Sequence, residues 1–194
     1  MDCIKIEQYI TGHVSKKRAA HLYSTAQQTQ ALVARYLPAI PPQLGYVVGL
    51  WHDVAREWKA GDLLKFCELH AITTEKEEQA YPILLHGPVA AYLFPQLMTI
   101  SPVCQTAIRW HTLGSPTMGN LGAALYTADY IEPLREYLKE GERESLLKCE
   151  SLEKMCLAVV LRHQAHLIQK GLALAGSTKS LLEFLEAGEQ FEYA

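Results

Sequence analysis

His21, the adjacent pair His52-Asp53, His86, His111 and Asp129 are the residues whose types and order could do chemistry in this chain. Imidazole and carboxylate together suit borderline or hard divalent metals such as Fe, Mn, Co, Ni or Zn, and no thiolate is needed. Adjacent residues on a helix project about 100° apart. His52 and Asp53 can therefore share an ion only if it lies between their directions, at a helix end or against a second helix. His21 and Asp129 would then be ligands from separate helices, the way bundles build inward-facing metal sites. Arg18 precedes His21 by three residues and shares its helical face. A guanidinium beside a metal ligand suits a phosphate, one oxygen held by the ion and another by directional hydrogen bonds. Pro133 lies four residues after Asp129, so the Asp129 carbonyl lacks its usual helical donor. The helix should stop or kink there, and Arg135 follows within reach of a phosphate.

A single His or Asp in a helix is more often structural or exposed than a ligand, so the ordered set carries this reading rather than any member. His13, His70, His163 and His166 fall outside it. The spacing of His163 and His166 could grip a metal on one helix face, but no carboxylate accompanies them, and they read as solvated surface. Trp51, Trp58 and Trp110 read as core or cavity wall. The charged run Glu140 to Glu144 reads as a solvated helix junction.

The elements that must position these groups are helical. From Ser15 to Leu37 the apolar residues Ala19, Leu22, Ala26, Leu32, Val33 and Tyr36 follow a helix face, with Ser15 as N-cap. Pro38, Pro41 and Pro42 end that helix and start another, running to about Val54. Ser101-Pro102 opens a helix to His111, and a further one spans about 120 to 131. One or two amphipathic helices cover about 144 to 175, with a short one near Leu181 to Leu185. No segment alternates cleanly enough for a strand, and no hairpin dipeptide occurs. The turn-rich stretch from Thr112 to Gly119 is expected to overhang His111.

The 194 residues suffice for one compact domain over 1–194. The formal charge of −3 disfavours salt-driven binding to a nucleic-acid backbone, which needs a basic surface, but allows one basic pocket for a small phosphate ligand. Five cysteines without a Cys-x-x-Cys pair read as reduced thiols. The first residues, with Asp2, Lys5 and Glu7, carry no apolar signal core, and no apolar run could span a bilayer. A cytoplasmic protein is expected, with no membrane or nucleic-acid partner.

The segments Arg18-Ala-Ala-His21, Gly49-Leu-Trp-His-Asp-Val-Ala-Arg56, Pro82-Ile-Leu-Leu-His-Gly87, Ala107-Ile-Arg-Trp-His-Thr112 and Ala128-Asp-Tyr-Ile-Glu-Pro-Leu-Arg135 together resemble the HD-domain phosphohydrolases. Within them the chain is similar to the bacterial YqeK family of symmetrical bis(5'-nucleosyl)-tetraphosphatases. The resemblance covers about residues 15 to 137. It implies an all-α fold, a single HD-domain helical bundle with a C-terminal helical extension over about 144–190. It implies an iron-type metal on His21, His52, Asp53 and Asp129. It also implies a nucleotide pocket involving Arg18, Asp53, His86, His111, Thr112, Asp129, Tyr130, Ile131, Glu132, Pro133, Leu134 and Arg135. The implied reaction is symmetrical hydrolysis of diadenosine tetraphosphate to two ADP by metal-activated water. Asp53, His86 and His111 are the candidate catalytic residues. Either histidine could donate the proton to the leaving oxygen, or both could hold a second ion. Leu22, Leu113 and Ser115 depart from the family pattern, Ser115 standing where the family carries an arginine. The alternatives are a hydrolase of the same type acting on another nucleotide, and a non-catalytic nucleotide-binding module. A homodimer is allowed.

Overall fold

The computed structural model describes residues 3–139 and 141–192; Asp2 and Glu140 lie outside them. Among the described residues there are helices and no strands. They are α1 (Ile4–His13), α2 (Lys16–Tyr36), α3 (Pro42–Trp51), α4 (Ala60–Leu69), α5 (Lys76–Ala80), α6 (His86–Leu97), α7 (Pro102–Trp110), α8 (Gly119–Ile131), α9 (Glu142–Leu147), α10 (Leu152–Gln169) and α11 (Gly176–Glu186). Short 3-10 turns at Pro82–Leu85 and Pro116–Met118 lead into α6 and α8. No described helix is long and apolar enough to cross a membrane.

The expected helix boundaries follow their caps. Ser15 accepts from the Arg18 amide and starts α2. Pro42 and Pro102 occupy the first turns of α3 and α7. α6 carries Pro88 in its first turn and Pro95 near its end. Prolines at those positions read as breaks, which hides this helix from periodicity. α8 is the central element: every residue from Asn120 to Ala128 is buried, and it packs against α2, α3, α7 and α10. The main hydrophobic cluster extends from Ile6 to Phe191, so α10 and α11 share the core of the motif-bearing helices. A second, smaller cluster of Ala55, Leu63, Cys67, Leu85 and Val89 packs beneath α4.

α2 and α3 approach so closely that side chains are excluded between them. A Cβ on Gly49 would lie 2.5 Å from the Ala26 Cα and 2.8 Å from its amide nitrogen. This contact sits three residues before His52 and five after His21, so it sets the separation of the two imidazoles.

Past Thr112 the turn-rich stretch does not overhang His111 as expected. Leu113 and Ser115 are buried. Thr178 at the start of α11 donates to the Leu113 carbonyl at 2.5 Å. Gly114 adopts a φ of 72°, and a side chain there would meet Leu181. The C-terminal helix thus pins the loop into the core.

Candidate metal centre

His52 caps the C-terminus of α3 and Asp53 follows in the next turn. Leaving the helix there lets both side chains face one point, as sharing an ion requires. Asp53 Oδ2 lies 3.5 Å from His21 Nε2 and 3.7 Å from His52 Nε2. Its other oxygen, Oδ1, lies 3.0 Å from His86 Nε2 and 3.3 Å from His111 Nε2. One buried carboxylate therefore serves two imidazole pairs. Asp129, from the last turn of α8, brings Oδ1 to 3.1 Å from His21 Nε2 and 3.6 Å from His52 Nε2.

The opposite ring nitrogen of each histidine is tied down. His52 Nδ1 lies 2.7 Å from the Gly49 carbonyl, His86 Nδ1 2.5 Å from the Ile83 carbonyl and His111 Nδ1 2.7 Å from the Ile108 carbonyl. A carbonyl only accepts, so each Nδ1 carries the proton and each Nε2 turns its lone pair toward the cluster, with the Nε2 atoms of His86 and His111 3.1 Å apart. His21 Nδ1 meets the Glu132 carboxylate at 3.1 Å. Thr112 Oγ1 lies 3.1 and 3.0 Å from the Nε2 atoms of His86 and His111.

The donor set fits a divalent cation. The Nε2 atoms of His21 and His52 are buried and make no hydrogen bond despite the carboxylates nearby. His21, His52 and Asp53 place one ligand atom each within 4.8 Å of one another, and so do Asp53, His86 and His111. Burial lowers the pKa of His52 and of His86, outweighing the adjacent carboxylates and keeping both neutral. Burial also lowers that of His21, but its contacts with Asp129, Asp53 and Glu132 prevail and bring it to about 10. Burial alone would raise Asp53 and Asp129. The surrounding imidazoles, with Arg135 beside Asp129, hold both well below the usual carboxylate range.

Two guanidiniums border the cluster. Arg18 donates to Asp53 Oδ2 and Arg135 to Asp129 Oδ1. Arg135 Nε also donates to the Asp129 carbonyl at 2.9 Å, replacing the donor that Pro133 removes. The Tyr137 hydroxyl does the same for the Tyr130 carbonyl at 2.9 Å, and Arg143 for those of Ile131, by Nε at 2.6 Å, and Glu132, by Nη2 at 2.9 Å. α8 therefore ends at Ile131, as the proline implies, with arginines closing its C-terminus.

A cavity of about 630 Å³ opens over the cluster. Arg18, Asp53, His86, His111, Thr112, Asp129, Tyr130 and Arg135 line it. The rest of the expected 129–135 segment does not. Ile131 is core, and Pro133 and Leu134 are exposed outside the cavity lining. Glu132 is buried behind His21, its second oxygen accepting from the Leu134 amide at 2.7 Å. Spacing gave no sign of this role, because the sequence separation of 111 between Glu132 and His21 is bridged only by folding. His163, expected as solvated surface, lines the cavity together with Arg162, whereas His166 borders it and stays exposed, as expected. His163 is partly buried, with Nδ1 2.8 Å from the Tyr126 hydroxyl. α10 docks against α8 and turns that face inward. His70 and His13 stay apart from the cluster, on Tyr92 and Tyr9.

Superposition on a solved structure decides the fold relationship. A predicted HD superfamily hydrolase involved in NAD metabolism from Clostridium acetobutylicum matches with a TM-score of 0.87 and 25% identity, over 97% of this chain and 99% of that one. The chain has the HD superfamily hydrolase fold. This chain is also 29% identical over 140 residues to the symmetrical bis(5'-nucleosyl)-tetraphosphatase of Halalkalibacterium halodurans, covering 69% of this chain and 70% of that protein. A protein of the same name from Bacillus subtilis is 44% identical over 57 residues, 29% of this chain and 31% of that protein. These tetraphosphatases are its homologues. No family model matches the chain.

Proposed function

We propose that this protein is a metal-dependent phosphohydrolase that cleaves diadenosine tetraphosphate symmetrically into two ADP. The observation that carries the reading is Asp53, shared by two imidazole pairs whose Nδ1 atoms are all anchored, with two guanidiniums at the cavity mouth. The name borne by the homologues supports the substrate.

His21, His52, Asp53 and Asp129 would hold the ion, with iron the first candidate and Mn, Co, Ni or Zn the others that this donor set accepts. When bound, such an ion supplies Lewis acidity and lowers the pKa of a water toward neutrality. Arg18 and Arg135 bind phosphate oxygens through charge-assisted hydrogen bonds and offset charge that develops on them. Thr112 adds a neutral hydroxyl at the same wall. Burial keeps His86 neutral, which supports a ligand role for its Nε2 over a proton-donor role. Asp53, His86 and His111 then make a second cation position. Glu132 holds the His21 ring in place, as carboxylate partners of metal-bound histidines do.

The unpaired thiols at Cys3, Cys67, Cys104, Cys149 and Cys156 support a reducing, cytoplasmic setting. The cluster shared by α1 to α3 and α6 to α11 supports a single domain.

The test is incubation of purified protein with diadenosine tetraphosphate and iron, cobalt or manganese, with product separated by chromatography. ADP should form, and Asp53→Ala should abolish it. Absence of ADP with every metal refutes the proposal. The NAD-metabolism label of the structural neighbour favours a second reading, another dinucleotide substrate. A panel of dinucleoside polyphosphates and dinucleotides ranked by kcat/KM separates the two.

A further inference from the structure

α5 is five residues long, and Glu78 is its one buried residue. So short a helix is not stable by itself in water, and burying a carboxylate costs free energy unless it is paired. The pair is made with α7. Glu78 Oε1 accepts from Arg109 Nη1 at 2.6 Å and Oε2 from Arg109 Nη2 at 2.9 Å. Oε2 also accepts from the Glu75 amide at 2.8 Å, which closes the N-terminus of α5. The same guanidinium lies over the Trp110 ring, 4.3 Å from its centroid. Burial raises the Glu78 pKa even with Arg109 beside it, so desolvation outweighs the attraction. A buried ion pair adds little net stability, but a two-pronged guanidinium–carboxylate contact fixes both distance and direction.

The two halves of this pair belong to the two segments that carry His86 and His111. From Glu78 to His86 the chain is a continuous series of turns. The Tyr81 amide donates to the Glu77 carbonyl at 2.8 Å and the Leu84 amide to the Tyr81 carbonyl at 2.9 Å. Pro82 fixes φ between them. The His86 ring is anchored to Ile83 within that turn, and the His111 ring to Ile108, the neighbour of Arg109. Each imidazole thus rides on the backbone that holds one half of the pair. The segments meet again at Gly87, where a Cβ would lie 3.2 Å from the Arg109 carbonyl oxygen and 3.4 Å from His111 Nδ1. With both Nδ1 atoms protonated, the facing Nε2 lone pairs, 3.1 Å apart, do not attract each other. Their spacing must be imposed by the segments behind them.

We propose that the Glu78–Arg109 pair is a positioning clamp that sets the separation of the His86 and His111 imidazoles, and through it the affinity of the cation position they form with Asp53. The cation half of this inference rests on the proposed metal-dependent reading. Neither residue of the clamp lines the cavity, so it acts only through the two imidazoles.

The experiment uses the full chain and two variants. Arg109→Lys keeps the charge and loses the fork. Glu78→Leu combined with Arg109→Met removes the pair and fills its place with apolar side chains, an exchange that costs little stability. The metal-free proteins are compared by thermal melts and by NMR of the histidine Nδ1–H protons, then titrated with Mn²⁺ by calorimetry. Both variants should move the His86 and His111 signals and leave that of His52 in place. Both should weaken one Mn²⁺ binding event by at least about tenfold and leave the other within about twofold. If the double variant does not fold, Arg109→Lys alone carries the test. Imidazole signals that stay in place, or equal weakening of both binding events, overturn the clamp. So does a lowered Tm with both Mn²⁺ affinities unchanged, which is what a merely structural pair would give. Wild type that binds a single Mn²⁺ sinks the second cation position instead, and the imidazole signals then decide the clamp.

Discussion

Gly49→Ala tests whether backbone contact between α2 and α3 gauges the metal centre. The added Cβ would stand 2.5 Å from the Ala26 Cα, 2.8 Å from its amide nitrogen and 3.1 Å from the Thr25 carbonyl carbon. All three are backbone atoms of a buried helix and cannot rotate away. Ordinary contact begins near 3.4 Å, so α3 must retreat by on the order of 1 Å. Overpacking of this kind costs about 1–3 kcal/mol. The better helix propensity of alanine returns up to about 1 kcal/mol. For a chain of this size a net loss of about 1–2 kcal/mol lowers Tm by roughly 2–8 °C. The effect on the centre is larger, because metal–ligand distances tolerate only about 0.2 Å. A retreat of α3 carries His52 and Asp53 away from His21, and metal affinity should fall at least about tenfold. Gly12→Ala is the internal control. It is an exposed position of α1 with nothing within 4 Å of its Cβ, so alanine there should gain stability and leave metal binding alone. Thermal melts of the metal-free proteins and competition titrations with a chelating dye read both effects. If Gly49→Ala matches Gly12→Ala in Tm and retains wild-type metal affinity, the close approach does not set the site.

Metal-free protein should show a pH response set by His21. Its folded pKa of about 10 exceeds the ordinary 6.5, so the stability it contributes is fully present below about 6.5 and is lost as pH rises through about 10. Metal must displace that proton, so metal affinity should climb across the same window. Glu132→Gln removes one of the contacts that raise the value, and the His21 imidazole, followed by NMR, should titrate lower; an unchanged titration would contradict the assigned Glu132–His21 contact. Arg18→Ala removes a charge-assisted bond of about 1.5–3 kcal/mol, so KM for a polyphosphate substrate should rise by roughly 10–100-fold while metal content holds. Arg18→Lys should not restore it, because an ammonium lacks the planar fork. Unchanged KM in both variants would exclude Arg18 from phosphate binding.

The sequence by itself determined the helical class, the start of α2 at Ser15, the start of α7 at Pro102 and the end of α8 before Pro133. Those are local effects: a side-chain cap, a fixed φ and a missing N–H act within one turn. It also marked His21, His52, Asp53, His86, His111 and Asp129 as a set, because residue type and order survive in one dimension. Only the tertiary structure decided that Asp53 faces two imidazole pairs with its two oxygens, since this depends on where the chain leaves α3. It alone placed Glu132 behind His21, 111 residues away in sequence and 3.1 Å away in space. The C-terminal helices offered only the His163 and His166 pair in the sequence, without a carboxylate, and His163 read as solvent-facing. Docking of α10 on α8 turned it into a cavity wall. A helix pattern states how wide an apolar face is, but the direction of its half-polar flank is fixed only by the neighbour against which that face is buried.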